Sequence, residues 1–169
     1  MKIVFHDPAD EPTLQAAFAQ AKSKVSGADK VNASPWQFDL FVSYSHQDKL
    51  EVDYLVKIIK EVRPSARVFL DRMELQPGAV WQQHLFEVID QSRKVMAVFS
   101  PQYLASKVCL DEYNIAHFRH RESPDGVLEP IYLHTAPLPT YMKLVQFIDA
   151  REGDWSQLAK AAKQLAATL

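Results

Sequence analysis

The sequence predicts a doubly wound α/β fold, in which helices cover both faces of a parallel sheet. From Gln37 onward, short apolar runs alternate with segments of helical spacing, as they do where strands are joined through helices. The run "KVMAVFS" (94–100) is apolar almost throughout, which is typical of a central parallel strand with both faces buried. The chain has 169 residues, of which 47% are hydrophobic, enough for one globular core.

The first strand and helix are predicted from "FDLFVSYSHQD" (38–48) and the residues after it. "FDLFVSYS" has the apolar content of a buried strand, and "SHQD" offers a capping box in which Ser45 faces Asp48. Apolar residues at helical spacing then form one stripe, made up of Val52, Leu55, Ile58, Ile59 and Val62. Pro64 ends this helix.

The second strand is predicted at "ARVFLDR" (66–72), and the loop "MELQPGAV" (73–80) follows it. The next helix carries its apolar face at helical spacing, on Trp81, Leu85, Val88 and Ile89. The third strand is the apolar run 94–100. Ser100 and Pro101 then form a cap followed by proline, which predicts a short helical turn.

The rest of the chain supplies one more helix before two strands and a final helix. "KVCLDEYNIA" (107–116) begins the helix, "PIYLH" (130–134) and "VQFID" (145–149) are the fourth and fifth strands, and "DWSQLAKAAKQLAATL" (154–169) is the last helix. A sheet built this way takes the flavodoxin-like strand order 2-1-3-4-5, with its ligand crevice beyond the carboxyl ends of strands one and three.

Two segments are predicted: a helical extension with a linker at 1–36 and the α/β domain at 37–169. In the extension an amphipathic stripe is formed by Leu14, Ala17, Phe18, Ala21 and Val25, and both a helix packed on the domain and a partner-binding helix remain open. The opening residues have no apolar run of signal-peptide length, and one cysteine forms no intramolecular disulfide. A cytoplasmic location is therefore expected.

Charge and hydropathy argue against two classes of partner. Lys and Arg total 19 against 21 Asp and Glu, which gives a net charge of -2. The chain therefore has no excess of positive charge to attract nucleic acid or an anionic membrane. No stretch approaches the apolar length of a membrane span. We expect neither nucleic acid nor a membrane as partner.

Two adjacent carboxylates lie where the crevice is predicted, in "KVCLDEYNIA". Around a helix, Glu112 is about 60° from Cys109, beside an apolar stripe, whereas Asp111 is about 160° away. Glu112 is therefore expected to face the crevice and Asp111 to face water. A solvated structural glutamate is the alternative at this point.

Several other chemistries lack their motifs. "SYSHQD" (43–48) has no glycine for a flavin phosphate loop, and the third and fifth strands do not end in the aspartate and lysine of a phosphoacceptor. G-x-G-x-x-G, P-loop and nucleophile-elbow motifs are absent from the sequence. His117 and His120 have a helical spacing that fits a metal, but basic residues near a helix C-terminus fit it better. No metal is expected.

Taken together, three segments resemble a Toll/interleukin-1 receptor (TIR) domain. "FDLFVSYSHQD" is similar to the first-strand box of that family. "VFLDRMELQPGAVWQQHLFEVIDQSRKVMAVFS" is similar to its second strand, long loop, helix and third strand. "SPQYLASKVCLDEYNIA" is similar to the segment in which a serine, a tryptophan-cysteine pair and a glutamate open a helix, although Val108 stands where many members have tryptophan. The resemblance covers about residues 37–169.

The resemblance implies an NAD+ glycohydrolase, or NAD+ nucleosidase, that cleaves the bond between nicotinamide and ribose. The catalytic glutamate of such members corresponds to Glu112. Substrate contacts are implied at Tyr44, Ser45, Asp71, Trp81 and Cys109. NAD+ is then the substrate and no cofactor is expected, and whether the product is linear or cyclic ADP-ribose stays open.

The resemblance also implies a role in immune or cell-death signalling that depends on self-association. The assembly loop corresponds to Met73, Glu74, Leu75, Gln76, Pro77 and Gly78, which one copy places against the pocket of another. Other TIR or sensor proteins are further partners that remain open. The alternative is a non-enzymatic TIR adaptor that acts through TIR-TIR contacts alone.

Overall fold

The computed structural model describes residues 34–70, 79–152 and 154–169, with the side chains of 79–82 outside that description. Five parallel strands form one sheet in the order β2-β1-β3-β4-β5, which confirms the predicted order. The strands are β1 Phe38–Ser43, β2 Val68–Leu70, β3 Ser92–Phe99, β4 Ile131–Tyr132 and β5 Ile148–Asp149.

The strands are connected through helices, as the alternating pattern predicts. The α-helices are α1 Lys49–Val62, α2 Ala79–Asp90, α3 Pro101–Ala105, α4 Lys107–Glu122 and α5 Trp155–Ala166. Short 3-10 helices precede α1 at His46–Asp48 and β5 at Thr140–Leu144. Among the described residues, no helix is both long and apolar enough to cross a membrane.

The core lies on both faces of the sheet, because successive strand residues point to opposite sides. On one face, Leu40 and Val42 of β1 pack with α1 and α5. On the other, Phe41 packs with side chains of α2, β3 and α4. All three β1 residues are fully buried, and each such side chain contributes about 1.5–3 kcal/mol. This burial fixes the register of β1 beside β3, where Ser43 pairs with Ala97.

Several local predictions differ from the structure. Asp48 does not close a capping box: Ser45 accepts a hydrogen bond from the Gln47 amide at 3.4 Å, while the Asp48 side chain is buried. Val62 is 46% exposed because it is the last residue of α1 and lies beyond the packed stripe. The fourth and fifth strands are only two residues long each, shorter than the predicted 130–134 and 145–149.

The predicted boundary between 1–36 and 37–169 stays a prediction. Residues 1–33, which include the amphipathic stripe, lie outside the described part of the chain.

Candidate active site

The candidate site lies where the carboxyl ends of β1 and β3 meet α3 and α4. Ser43 is the last residue of β1, and Ser100 directly follows β3. Ser100 Oγ caps α3 by accepting a hydrogen bond from the Tyr103 amide at 3.0 Å. Ser106 caps α4 in the same way, accepting from the Cys109 amide at 3.3 Å. Two serine caps therefore orient the helices that border the site.

Glu112 faces this site, and its neighbour does not. Only 4% of the Glu112 surface is exposed, whereas Asp111 is exposed to solvent. The orientation predicted from helical geometry is therefore correct. The buried Ser43 hydroxyl donates a hydrogen bond to Glu112 Oε2. A carboxylate buried beside strand ends needs such a donor, since an uncompensated buried charge is costly.

Tyr103 extends this contact to a second hydroxyl. Its phenol oxygen is 2.8 Å from Ser43 Oγ, and the whole residue is buried. Burial, together with the charge of Glu112 and the nearby Cys109 thiol, raises the pKa of Tyr103 well above its ordinary value. The phenol therefore keeps its proton. Because Ser43 donates its only proton to Glu112, its oxygen accepts a hydrogen bond from the Tyr103 phenol.

Cys109 lies one helical turn before Glu112 and is 5% exposed. Its thiol donates to the Tyr44 carbonyl, with Sγ and O 3.4 Å apart. Burial first, and then the Glu112 carboxylate, raise the pKa of the Cys109 thiol to about 12. A thiol that holds its proton this firmly is not a nucleophile at neutral pH. Cys109 is a small packing residue in the wall of the site.

A second buried carboxylate, whose place at the site the sequence analysis missed, belongs to Asp48. Asp48 is 3% exposed, and its Oδ2 accepts a hydrogen bond from Ser100 Oγ at 2.5 Å. Burial raises the pKa of Asp48, against the lowering effects of the Ser100 hydrogen bond and of His134. The Asp48 charge also contributes to the raised pKa of Cys109, so both carboxylates act on one thiol.

The comparison that decides the family is a match over most of the chain. Residues 40–166 match a family model described as a TIR domain. The chain belongs to the TIR domain family. The resemblance seen in the three sequence segments is thereby confirmed.

Relatives and solved structures agree with this assignment. The TIR domain is 29% identical to Toll-like receptor 2 of Homo sapiens over 164 residues, covering 87% of this chain and 20% of the receptor. It is 32% identical to Toll-like receptor 2 of Capra hircus over 121 residues, covering 68% of this chain and 15% of the receptor. The chain therefore spans about a fifth of the length of the curated relatives that it matches.

Two solved structures share the fold at low sequence identity. A TIR-STING receptor from C. gigas matches with a TM-score of 0.60 at 18% identity, covering 80% of this TIR domain and 42% of that chain. The heterodimer of the RPS4 and RRS1 TIR domains matches with a TM-score of 0.55 at 13% identity, covering 76% of this TIR domain and 96% of that chain.

The other predicted substrate contacts of the TIR domain divide into two groups. Tyr44 and Ser45 follow β1 directly and are buried. Their carbonyls accept hydrogen bonds from the Cys109 thiol and from the Asp48 amide, respectively. Asp71 and the predicted assembly loop, 73–78, lie outside the described residues. Trp81 belongs to α2, but its side chain is also outside the description. The predicted roles of all these residues stay predictions.

The histidine pair of α4 is occupied by structural contacts. His120 Nδ1 accepts hydrogen bonds from the amides of Val127 and Leu128, each at 3.0 Å. His117 stacks on Tyr113, with ring centroids 5.7 Å apart. Within residues 34–70, 79–152 and 154–169, no three of the His, Cys, Asp and Glu side chains are grouped as metal ligands.

Proposed function

We propose that this TIR domain is an NAD+ glycohydrolase that releases nicotinamide and ADP-ribose and serves immune or cell-death signalling in the cytoplasm. The observation that carries the proposal is the buried Glu112 carboxylate, which accepts a hydrogen bond from Ser43 at the carboxyl ends of β1 and β3. Ligands of doubly wound folds bind at this edge of the sheet.

The reaction needs little from the protein besides one carboxylate. The bond between ribose C1′ and the nicotinamide nitrogen breaks, and its electron pair neutralises the pyridinium, so that nicotinamide leaves without an added proton. Water then bonds to C1′ and releases a proton, or an adenine nitrogen attacks instead and gives the cyclic product. In contrast to ordinary glycoside hydrolysis, no second carboxyl group has to act as a general acid.

Glu112 suits the remaining task, which is to stabilise positive charge on the ribose. Its carboxylate is held by the Ser43 hydroxyl, which is already in place, and a preorganised donor of this kind limits reorganisation during the reaction. The Cys109 thiol, whose pKa is raised to about 12, is not a competing nucleophile. Tyr44 and Ser45, which directly follow β1 at this edge, are the proposed contacts to the nucleotide.

The same burial supports activation by self-association. With 4% of its surface exposed, Glu112 contacts a ribose only after neighbouring groups move. Contact between copies through the loop 73–78 is the proposed cause of that movement. One similar structure is a heterodimer of the RPS4 and RRS1 TIR domains, so binding of one TIR domain to another has a precedent in the fold. Other TIR or sensor proteins are further proposed partners.

A non-enzymatic adaptor is the second candidate. The observation that favours it is that the similar curated proteins are receptors, each named Toll-like receptor 2. In that case TIR-TIR contacts alone would transmit the signal, and Glu112 would serve as a buried structural residue in the second turn of α4.

The test is NAD+ consumption, with products resolved by chromatography, over a range of protein concentrations and with a crowding agent. We compare the wild type with Glu112→Gln, and with Asp111→Asn as the matched control on the adjacent, exposed carboxylate. Release of nicotinamide by the wild type and by Asp111→Asn, but not by Glu112→Gln, supports the enzyme. The same chromatogram distinguishes linear from cyclic ADP-ribose.

Light scattering of the same samples decides between the candidates if activity is absent. A wild type that associates with rising concentration and consumes no NAD+ supports the adaptor. A protein that remains monomeric at every concentration contradicts both the assembly-gated enzyme and the adaptor.

A further inference from the structure

The two buried carboxylates of the site lie at opposite ends of one hydrogen-bond network. Asp48 Oδ2 accepts from Ser100 Oγ at 2.5 Å, and Ser100 Oγ accepts from the Tyr103 amide at 3.0 Å. The Tyr103 phenol is 2.8 Å from Ser43 Oγ, and Ser43 donates to Glu112. All five residues are buried.

The direction of each hydrogen bond follows from the number of protons available. A serine hydroxyl has one proton. Ser100 gives its proton to the Asp48 carboxylate, and its lone pair receives the Tyr103 amide. Ser43 gives its proton to the Glu112 carboxylate, and its lone pair receives the Tyr103 phenol. The network therefore has a single consistent arrangement as long as both carboxylates are ionised.

Tyr103 connects the two ends because it is held at both its backbone and its side chain. Its backbone amide donates to Ser100, which in turn donates to Asp48. Its side chain is packed in the core, where the centroid of the Phe99 ring is 5.8 Å from that of Tyr103. Ser100 therefore links Asp48 to the first turn of α3, and Tyr103 links that turn to Ser43.

We propose that Asp48 is a positioning residue for Glu112 that acts through Ser100 and Tyr103. Its influence on catalysis rests on the proposed NAD+ cleavage, but its influence on the Glu112 environment does not. A purely structural explanation, in which Asp48 only stabilises the start of α1, accounts less well for its position. Its side chain makes no capping hydrogen bond to α1 and turns to Ser100 instead.

The kinetic test compares Asp48→Asn, Ser100→Ala and the double variant with the wild type. Asp154→Asn, an exposed capping aspartate at the start of α5, is the matched control. We expect each single variant to lower kcat about ten- to a hundredfold, with KM unchanged, because a small displacement of a catalytic group has effects of this size. The double variant should lose no more than either single variant, since Asp48 acts through Ser100.

A second measurement is independent of activity. The carboxyl carbon resonance of Glu112, followed by 13C NMR at constant pH, should be displaced in Asp48→Asn and in Ser100→Ala but not in Asp154→Asn. If Asp48→Asn does not fold, Ser100→Ala supplies the same comparison, because it removes the same link from the other side.

The outcomes separate this inference from the proposed function. A wild type that never consumes NAD+ contradicts the glycohydrolase, while a displaced Glu112 resonance still supports positioning by Asp48. An undisplaced resonance overturns the positioning role whether or not the protein is active. Additive kinetic losses in the double variant, or losses that follow only the free energy of unfolding, also overturn it.

Discussion

Ser43 Oγ donates a hydrogen bond to Glu112 Oε2, which joins the last residue of β1 to the inward face of α4. The two residues are separated by 69 positions in the chain. This hydrogen bond offsets part of the cost of burying the Glu112 carboxylate. It also holds the end of β1 against α4, the helix that carries the proposed catalytic group. The stability of the fold and the proposed function therefore both involve this pair of residues.

Removing the Ser43 hydroxyl should destabilise the protein. We expect Ser43→Ala to lower the free energy of unfolding by about 1–3 kcal/mol, because the buried Glu112 carboxylate and Tyr103 phenol both lose a partner. In the background of Glu112→Gln the cost should be smaller, since the loss of one donor costs a neutral amide oxygen less than a carboxylate. Urea unfolding of the two single variants and the double variant measures this coupling.

The control for this double-mutant comparison of Ser43 and Glu112 is Ser156→Ala, at an exposed position of α5. It should change the free energy of unfolding by less than about 0.5 kcal/mol. Equal costs of Ser43→Ala in both backgrounds would contradict an interaction between Ser43 and Glu112.

The Cys109 thiol should resist labelling in the folded protein. Its pKa is raised from 9.0 to about 12, so the fraction of thiolate is about a thousandfold lower than in the unfolded chain at about pH 8. Burial slows reagents further. Disulfide-exchange reagents added without and with denaturant measure the labelling rates of the folded and the unfolded protein, and Cys109→Ser gives the blank. Rapid labelling of the folded protein would mean that α4 opens readily.

The Asp39–Arg67 pair should stabilise the protein less in acid than at neutral pH. Arg67 contacts Asp39 at 2.9 Å through its guanidinium and at 2.8 Å through its amide, and the side-chain bond lowers the pKa of Asp39 below its ordinary 3.8. Because the pKa of Asp39 is lower in the folded state than in the unfolded state, its charge stabilises the protein above pH 3.8. This stabilisation is lost as the pH falls through the pKa of the folded state. The difference in unfolding free energy between the wild type and Asp39→Asn should therefore shrink below about pH 4.

Asp125→Asn, at an exposed position, is the control for the Asp39 measurement. A difference between wild type and Asp39→Asn that stays constant over this pH range would exclude a contribution from the Asp39 charge.

Asp48 should show the opposite pH dependence. Burial raises its pKa above 3.8, against the lowering effects of the Ser100 hydrogen bond and of His134, and Glu51 adds to the increase. In the interval between 3.8 and the raised value, the folded state binds more protons than the unfolded state, so stability rises as the pH falls. The wild type should therefore gain stability relative to Asp48→Asn as the pH falls toward 3.8, as measured by urea unfolding. A relative loss in that range would show that hydrogen bonding outweighs burial at this carboxyl group.

Gly126 should not tolerate a side chain. Its φ is +63°, and a Cβ atom would lie 2.7 Å from His120 Cε1. Strain alone should cost about 1–2 kcal/mol in Gly126→Ala, and His120 cannot move without losing the amides of Val127 and Leu128. Thermal unfolding measures the loss, with Asn114→Ala on the exposed face of α4 as control. A Gly126→Ala variant as stable as the control would contradict the packing of His120 against this turn.

Local patterns in the sequence were enough to predict the fold class, the strand order and the inward orientation of Glu112. These features depend on periodicity: the apolar run 94–100 predicts a central strand, and 100° per residue separates Glu112 from Asp111 on α4. Burial in a doubly wound sheet leaves few other arrangements for such a pattern, so local information was sufficient. The ends of the short strands β4 and β5 were predicted less well, because they depend on hydrogen bonds to neighbouring strands.

The role of Asp48 and the way Glu112 is held became visible only in three dimensions. In the sequence, Asp48 three residues after Ser45 looks like half of a capping box, because that motif involves only local hydrogen bonds. Its actual partner, Ser100, is 52 positions away in the chain. Parallel strands bring such distant residues together at one edge of the sheet, and a buried carboxylate binds whichever donor is there. The spacing of residues along the chain therefore does not indicate that Asp48 bonds to Ser100.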